Sequence, residues 1–451
     1  MSRRHSPALF TLGCVTAAVI GSTSLGIAGG SGPAGPAGGA GRSIDPAHPV
    51  QLAASSCPSP GGATIKEAAA PKAAVTVFGH GWGHGMGMSQ YGAQGAARLG
   101  CDYRTILSTY YHDSSVVTQN LSGHVLLNLA GAAPQSSLAA QTGPVQWAGA
   151  SRSAVQPKGS TWSVVRRTVS GKAGLELVDR AGQTQLFIPD GSALTAHHSG
   201  VIVLINPTGG SALRTHWGSA RFIGSPSGIA VTAVLSTTKR YTAVQKYLMG
   251  LAEVPISWPV EALKAQVVAA RTYLTSKYNA GSQAYVVRIT TADQVYRGSD
   301  QEMKDNALGG HWLQAVIGTA GQVIVDSSGR TIEAMYSSSS GGYTENRQYV
   351  YGHYGVSYLK AVDDSRWDDA SDNPYRQWSK GFSKASLAQR FGFQSVSSWT
   401  VAQRGTAARL IGVRITGKRN GQTMTVAFTG TDARARLGLR SPGFTFGPAS
   451  S

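Results

Sequence analysis

Short apolar runs separated by turn residues occupy the middle of the 451-residue chain, from about His124 to Arg221. Runs such as HVLLNL, WSVVRR, LELV, QLFI and VIVLI alternate with glycine, serine, proline and aspartate. Apolar runs of this length bounded by turn residues are typical of β-strands. The pattern therefore predicts a β-rich accessory region, assigned to residues 116–199, and no catalytic constellation stands out within it.

A helical pattern follows in YLMGLAEVPISWPVEALKAQVVAARTYLTSKYNAG, residues 247–281. Pro259 suits a first helical turn, Glu261 suits the positive end of the helix dipole, and Gly281 suits the end of the helix. Five apolar residues recur at helical spacing on one face: Val260, Leu263, Val267, Leu274 and Tyr278. The opposite face is mostly alanine, so we expect a helix of about twenty residues packed on both sides.

Glycine occupies every second position at the start of GHGWGHGMGMSQYGAQG, residues 79–95. Strict alternation predicts a strand over residues 78–88, and a row of glycines marks close approach by another backbone or a ligand. His80 and His84 would share a face with the intervening Trp82 and methionines. No cysteine, aspartate or glutamate in this stretch completes a metal site, so we predict none. Ser89 has the chemistry of an N-cap for a short helix that Gly100 ends.

The charge balance and the N-terminal sequence indicate the compartment. Lys and Arg outnumber Asp and Glu by 40 to 22, a surplus that suits a polyanion such as nucleic acid, a membrane surface or a cell wall. A basic start, a short apolar run and small residues predict a signal peptide over residues 1–28, and residues 29–74 read as a Gly/Pro/Ala-rich linker. We therefore expect a secreted or cell-wall protein without a stable membrane anchor, which argues against nucleic acid as its partner.

Two cysteines, Cys57 and Cys101, remain once the predicted signal peptide is removed. An even pair of cysteines in an exported protein favours a disulfide. Two free buried thiols are the alternative that the sequence leaves open.

Glu253 is the candidate proton donor, in a Gly-Leu-Ala-Glu-Val-Pro loop before the predicted helix. Apolar neighbours desolvate a carboxylate and raise its pKa, which a general acid at neutral pH requires. Arg271 falls inside the apolar stripe of the helix and Lys264 at its edge. A buried basic residue needs an anionic partner, either in a structural ion pair or at a site. Three other carboxylates compete for the acid role: Glu261, Asp293 and Glu302.

These segments together resemble the SpoIID/LytB family of cell-wall proteins. The segment from YLMGLAEVP to EALKAQVVAARTY is similar to the family's signature. TTADQVYRG, YSSSSGGYTE, YLKAVDD and GTDARARLGLRSPGF then follow in family order, whereas GHGMGMSQYGA, residues 83–93, precedes the core. This order resembles a circular permutation, which requires neighbouring termini. We therefore expect residues 78–100 to pack beside residues 430–446.

The resemblance implies an α+β fold in which one long buried helix packs against antiparallel strands, with a β-rich insertion. It implies a catalytic core over residues 200–451 and a GHG-x-GMSQYGA segment, residues 75–115, packed on that core. It also implies lytic transglycosylation of peptidoglycan, without a cofactor, at the bond from N-acetylmuramic acid to N-acetylglucosamine. The family's catalytic glutamate falls on Glu253. The residues implied for substrate binding are Lys264, Arg271, Ser338, Ser339, Ser340, His84 and Gln90.

The implied partners are peptidoglycan glycan strands and anionic wall polymers. The LytB name belongs to proteins regarded as modifiers that stimulate an amidase, so a non-catalytic glycan-binding protein that stimulates a partner amidase is the alternative function. A structural wall module that acts through its β-rich middle is a third hypothesis.

Overall fold

The computed structural model describes residues 57–63, 75–129, 132–205, 212–352 and 355–447. The predicted signal peptide, and all of the predicted linker except residues 57–63, lie outside these ranges. The described part combines helices with mostly antiparallel sheets, which confirms the α+β prediction. Within it, no helix is long and apolar enough to cross a membrane.

The strands in chain order are β1 (Val75–Gly79), β2 (Met88–Ser89), β3 (Ser114–Thr118), β4 (His124–Asn128), β5 (Gln135–Ala140), β6 (Val145–Gly149), β7 (Arg152–Gln156), β8 (Thr161–Val169), β9 (Lys172–Val178), β10 (Thr184–Pro189), β11 (Ala193–His198), β12 (Ile202–Ile205), β13 (Ala212–Thr215), β14 (Ser219–Ser225), β15 (Gly228–Leu235), β16 (Tyr278–Asn279), β17 (Ala284–Arg288), β18 (Gln322–Asp326), β19 (Tyr336–Ser337), β20 (Trp378–Phe382), β21 (Ser395–Arg404), β22 (Leu410–Arg419), β23 (Gln422–Thr429) and β24 (Phe444–Phe446). The helices are α1 (Gln90–Arg98), α2 (Tyr103–Tyr110), α3 (Ala243–Met249), α4 (Val260–Thr275), α5 (Ser299–Ala307), α6 (His311–Gly318), α7 (Arg347–Tyr351), α8 (Ser365–Asp369), α9 (Lys384–Phe391) and α10 (Gly430–Leu437).

Two large sheets occupy the middle of the chain. One has the strand order β10-β9-β8-β5-β12-β13 and the other the order β16-β17-β4-β15-β14-β11-β6-β7. Buried and exposed residues alternate along their strands, as in β6, because one face of each sheet packs on the core. Trp147 and Phe222 meet in that core with ring centroids 5.4 Å apart. Strands of both sheets continue past residue 199, as far as Thr215 in the first sheet and Arg288 in the second.

Helix α4 is buried on most sides but shorter than the sequence predicts. It ends at Thr275 rather than near Gly281. Tyr278, expected on its apolar face, lies in β16, where it pairs with Tyr285 and is 47 % exposed. The chain turns into the β16–β17 hairpin here, so strand pairing overrides the helical periodicity. The prediction for the end of the helix was therefore wrong.

The alternating glycines do not form a strand. Gly81, Gly83, Gly85 and Gly87 all have positive φ, between 62° and 107°, so the extended stretch stops at Gly79. Left-handed backbone of this kind is open to glycine at little cost. The predicted close approach does occur, since a Cβ at Gly81 would lie 2.6 Å from the carbonyl oxygen of Ser339.

The first and last strands of the described residues pair with each other. Strand β1 lies between β20 and β24, antiparallel to both. The loop after β1 continues this contact, because the Gly83 N–H donates to the carbonyl of Arg440 at 3.0 Å. The expectation that residues 78–100 pack beside residues 430–446 is confirmed.

Two local predictions for the start of the described chain are also confirmed, a helix cap and a disulfide. The Ser89 hydroxyl accepts the Gly92 N–H and caps α1, which ends just before Gly100. Cys57 and Cys101 form a disulfide that ties residues 57–63 to the end of this helix.

Candidate functional site

Glu253 lies on the short loop between α3 and α4. Gly250 ends α3, and the Ala252 N–H donates to the carbonyl of Val295 at 2.8 Å, which holds the loop against the segment before α5. Pro255 and Ser257 beyond Glu253 are exposed, and Glu253 itself is half-buried. The loop therefore presents a partly desolvated carboxyl group near the surface.

The Glu253 carboxyl group is held by neutral donors. Its Oε1 accepts the N–H of Val295. Burial raises the pKa of Glu253 to about 7, although hydrogen bonds from Val295 and from the side chain of Gln90 act to lower it. At neutral pH the carboxyl group is therefore close to half protonated, the state in which one group both gives and accepts a proton.

Gln90, the first residue of α1, connects this loop to the glycine segment. Its Nε2 donates to the carbonyl oxygen of Glu253 at 3.4 Å and to Oε1 of Gln266 on α4 at 3.3 Å. Gln90 is buried, so these contacts fix its position. The structure thus places Gln90, one of the residues implied by the resemblance, against the candidate acid.

A buried polar chain that the sequence did not single out lies beside Glu253. The Tyr247 hydroxyl donates to Oε1 of Gln294 at 2.7 Å, and Nε2 of Gln294 donates to the Tyr336 hydroxyl at 2.7 Å. Burial and then the nearby Glu253 charge raise the pKa values of both tyrosines, so both stay neutral. Gln294 belongs to the TTADQVYRG segment, so the resemblance of that segment to the family was the sequence feature that could have identified it.

Two of the competing carboxylates are held by basic groups. Burial raises the pKa of Asp293, but hydrogen bonds, from Arg288 above all, outweigh it and bring the pKa to about 2. Glu261 pairs with Lys264 at 2.6 Å and accepts the Tyr103 N–H at 2.9 Å. Asp293 is therefore not suited to donate a proton at neutral pH, and Glu261 is engaged by Lys264 and by the Tyr103 N–H.

Glu302, on α5, is the third competitor. Burial raises its pKa to about 7, against a hydrogen bond from Trp217 that lowers it. The Trp217 Nε1–H donates to its Oε1 at 2.9 Å, and Nε2 of His216 lies 3.5 Å from its Oε2. The two oxygens of this carboxyl group therefore each lie next to a ring nitrogen, one from Trp217 and one from His216.

Lys264 and Arg271 lie on a face of α4 turned away from the site. At 100° per residue, Lys264 lies about 160° around the helix from Gln266, and Arg271 shares the Lys264 face. Among the contacts of the described residues, neither side chain reaches Glu253.

Arg271 is fully buried and has no carboxylate partner among the described residues. Its guanidinium donates to the carbonyls of Val316 and Gln322 and to the hydroxyl of Thr319, at 3.1 to 3.3 Å. Val316 is in the last turn of α6, where the helix dipole is negative. The predicted anionic partner was wrong because helix-end carbonyls stabilise the buried cation instead.

The three serines differ in position. Ser339 and Ser340 are fully buried, so they do not line a groove as the resemblance implied. The Ser340 hydroxyl donates to Asp364 at 2.8 Å, and the Ser339 hydroxyl accepts from Asn373 at 2.7 Å. Ser338 is half-buried, and its carbonyl accepts the N–H of Tyr91, the neighbour of Gln90.

His80 and His84 are held by the backbone around them. Nδ1 of His80 lies 3.2 Å from the Ser340 carbonyl, and Nδ1 of His84 accepts the Met86 N–H at 3.0 Å. Burial, followed by the charge of Arg409, lowers both pKa values to about 4, so both rings are neutral. Among the described residues, no group of three or more His, Cys, Asp or Glu is arranged to hold a metal ion.

Comparison with known proteins relates the region of this site to a family. A family model described as "SpoIID: Stage II sporulation protein" matches residues 236–325, a range that contains the Glu253 loop, α4 and Gln294. The chain is 32 % identical over 235 residues to stage II sporulation protein D of Bacillus amyloliquefaciens, covering 49 % of this chain and 64 % of that protein.

Two other relatives have related names. The chain is 28 % identical over 249 residues to stage II sporulation protein D of Bacillus subtilis (strain 168), covering 50 % of this chain and 67 % of that protein. It is 38 % identical over 164 residues to the amidase enhancer of the same strain, covering 36 % of this chain and 20 % of that protein.

The matched region thus spans less than two thirds of the Bacillus amyloliquefaciens protein and a fifth of the amidase enhancer. No solved structure matches the chain. The family model, the relatives and the order of the sequence blocks agree in supporting a member of the SpoIID/LytB family.

Proposed function

We propose that this protein is an exported cell-wall enzyme that cleaves peptidoglycan glycan strands by lytic transglycosylation. The similarity to the SpoIID family model and to the relatives supports a cell-wall role. The observation that carries the enzymatic part is the environment of Glu253, a half-buried carboxyl group near the surface whose pKa burial raises to about 7. Within the described residues no cation pairs with it.

In the first step, protonated Glu253 donates its proton to the glycosidic oxygen that leaves N-acetylmuramic acid. The bond from C1 to that oxygen breaks and positive charge develops at C1 of the sugar. The carboxylate that remains is stabilised by the Val295 N–H and by Gln90. These donors are already in place before the proton leaves, so little reorganisation is needed.

In the second step, the C6 hydroxyl of the same sugar attacks C1, and Glu253 accepts the hydroxyl proton. The product carries a 1,6-anhydro bond, and the enzyme regains its proton. Ordinary glycosidases use two carboxyl groups, one of which activates water or attacks C1. The internal hydroxyl replaces that second group, which agrees with the engagement of Asp293 and Glu261 by basic residues.

Mass spectrometry of digested peptidoglycan strands tests this proposal. Wild-type protein and Glu253→Gln are incubated with strands that carry stem peptides and with strands that lack them. We expect anhydro-muramyl products from the wild type and none from the variant, because glutamine has no transferable proton. Reducing-end products from the wild type would instead show hydrolysis and require a second carboxylate.

A glycan-binding protein that stimulates a partner amidase is the second candidate. The observation in its favour is the 38 % identity to a relative named amidase enhancer. On this hypothesis the wild type binds strands, forms no anhydro product, and accelerates an added wall amidase to the same extent as Glu253→Gln. The same set of digests therefore separates the two functions.

A further inference from the structure

A row of aromatic side chains leads away from the Glu253 loop. Trp258 belongs to that loop's segment and lies 5.1 Å, between ring centroids, from Tyr91. Tyr91 lies 6.0 Å from Tyr375, and Tyr375 lies 4.4 Å from Trp82. Tyr91 directly follows Gln90, which contacts Glu253. The row therefore begins beside the candidate acid and runs along the outside of the glycine segment.

Exposure rises along this row. Trp258 is 8 % exposed, Tyr91 and Tyr375 are half-buried, and Trp82 is 41 % exposed. Among the described residues, Trp82 is the one exposed tryptophan. Leaving a large apolar ring in water forgoes the free energy of its burial, so an exposed tryptophan in a rigid position suggests a ligand.

The backbone fixes Trp82 in this exposed position. Its N–H donates to the carbonyl of Ser339 at 2.9 Å, and the Ser339 N–H donates back at 3.1 Å. The neighbouring Gly81 N–H donates to the Tyr375 carbonyl at 2.9 Å. The left-handed glycines on either side, Gly81 and Gly83, turn the chain so that the ring points outward while its backbone stays paired. The surface is thus preformed.

Arg440 adds a positive charge to the outer end of the row. Its guanidinium carbon lies 4.9 Å from the ring centroid of Tyr375 and 5.9 Å from that of Trp82. Within the described residues no carboxylate pairs with Arg440, and its side chain is exposed. Asp372, whose charge acts on Tyr91 of this surface, is already paired with Arg98. A stacked guanidinium with free N–H groups has the geometry to bind a carboxylate with two hydrogen bonds.

We propose that Trp82, Tyr91, Tyr375 and Arg440 form a binding surface for sugar units beyond the one cleaved. The aromatic faces stack on sugar rings, and Arg440 binds a carboxylate carried by the strand. This inference rests on the proposed function, because it takes a peptidoglycan strand as the ligand. It adds to that function a second contact region, which selects strands by their negative charge as well as by their sugars.

Two chemical sources supply such a carboxylate: the lactyl ether of N-acetylmuramic acid and the stem peptide. Three probes separate them. The tetramer of N-acetylglucosamine has neither carboxylate, and peptide-free strands have the free lactyl carboxylate alone. Strands with a stem peptide on every N-acetylmuramic acid have the carboxylates of the peptide alone, because the amide bond to the peptide takes up the lactyl carboxyl group. Binding is measured by calorimetry in the Glu253→Gln background, so that no strand is cleaved during the titration.

In that background, Trp82→Ala is expected to weaken binding of all three probes about tenfold. Arg440→Ala is expected to weaken binding of carboxylated strands about tenfold, with little effect on the tetramer, and added salt should reduce the difference. Arg440→Lys keeps the charge but loses the paired hydrogen bonds. Its affinity for carboxylated strands should therefore lie between those of the parent protein and Arg440→Ala. The matched controls are Tyr278→Ala and Arg414→Ala, exposed residues outside the row that should leave binding unchanged.

The outcomes separate this inference from the proposed function. Loss of affinity in Arg440→Ala for peptide-bearing strands alone assigns the carboxylate to the stem peptide, and loss for peptide-free strands alone assigns it to the lactyl group. Loss for both kinds of strand means that Arg440 binds either carboxylate. Unchanged binding by Trp82→Ala and Arg440→Ala, with anhydro products still formed by wild type, would overturn the inference and leave the function. Failure of the parent protein to bind any strand would overturn both.

Discussion

Glu253 and Glu302 are two half-buried carboxyl groups with the same pKa of about 7 and different surroundings. In both, burial is the main cause of the rise. Glu302 lies on a helix, with its oxygens against Trp217 and His216. Glu253 lies on a loop with exposed neighbours and is held by a backbone N–H and Gln90. A raised pKa makes a proton available at neutral pH, but only a carboxyl group that substrate can reach uses it.

The largest expected effect separates these two glutamates by rate. Glu253→Gln should lower the rate of anhydro-product formation by about 10² to 10⁴, the usual contribution of a general acid and base. Glu302→Gln should stay within about threefold of wild type, because amide and carboxyl group have similar shape and Trp217 keeps an acceptor. Initial rates by liquid chromatography measure both. Equal losses of rate in the two variants would mean that the different surroundings of Glu253 and Glu302 do not give them different catalytic roles.

An intermediate effect is expected from Gln90→Leu. The Gln90 side chain stabilises the charged form of Glu253, so its loss should raise the pKa of Glu253 further above 7. The alkaline limb of the pH–rate profile should then move upward by about one pH unit, and the maximal rate should fall about tenfold. Gln94→Leu on the same helix is the control, since Gln94 contacts Asp372 instead. A fall in rate without a shift of the limb would indicate a packing effect alone.

The smallest effect is one that the two glutamates should share. Their pKa values are raised from 4.5 to about 7, so the protonated form favours folding. The stabilisation is complete below about pH 4.5 and is lost as the pH rises through about 7.

Above pH 7, wild type therefore buries charged carboxylates that Glu253→Gln and Glu302→Gln do not. Each variant should melt on the order of 2 °C higher than wild type at pH 8, with no such gain at pH 4.5. Thermal unfolding at both pH values gives the comparison. If the melting temperature of either variant rises by the same amount at both pH values, burial is not the cause of the raised pKa of the glutamate that it replaces.

The features that the sequence predicted well depend on short-range chemistry. A serine at the start of α1 caps that helix, and Pro259 with Glu261 begins α4. The apolar neighbours of Glu253 were enough to predict its raised pKa, because desolvation acts over a few ångströms. The order of the sequence blocks predicted the contact between β1 and β24, since it implies where the chain ends must lie.

The features that were missed depend on partners distant in the chain. Alternating glycines permit a strand as well as a left-handed loop, and contacts with residues 335–341 select the loop. The carbonyls that hold Arg271 come from the last turn of α6 and from the start of β18, which periodicity in α4 does not reveal. The Tyr247–Gln294–Tyr336 chain and the row from Trp258 to Trp82 likewise join segments whose proximity exists only after folding.

The central position of β1 has a consequence for synthesis of the chain. The contact between His80 and Ser441 closes a separation of 361 residues, so β1 gains its second neighbour only when the last part of the chain is made. Gln90 follows β1 closely and contacts the carbonyl oxygen of Glu253. On the ribosome, the backbone that leads to Gln90 therefore lacks one of the two strands beside it until β24 emerges, and this side of the candidate site is supported by both strands only after β24 is made.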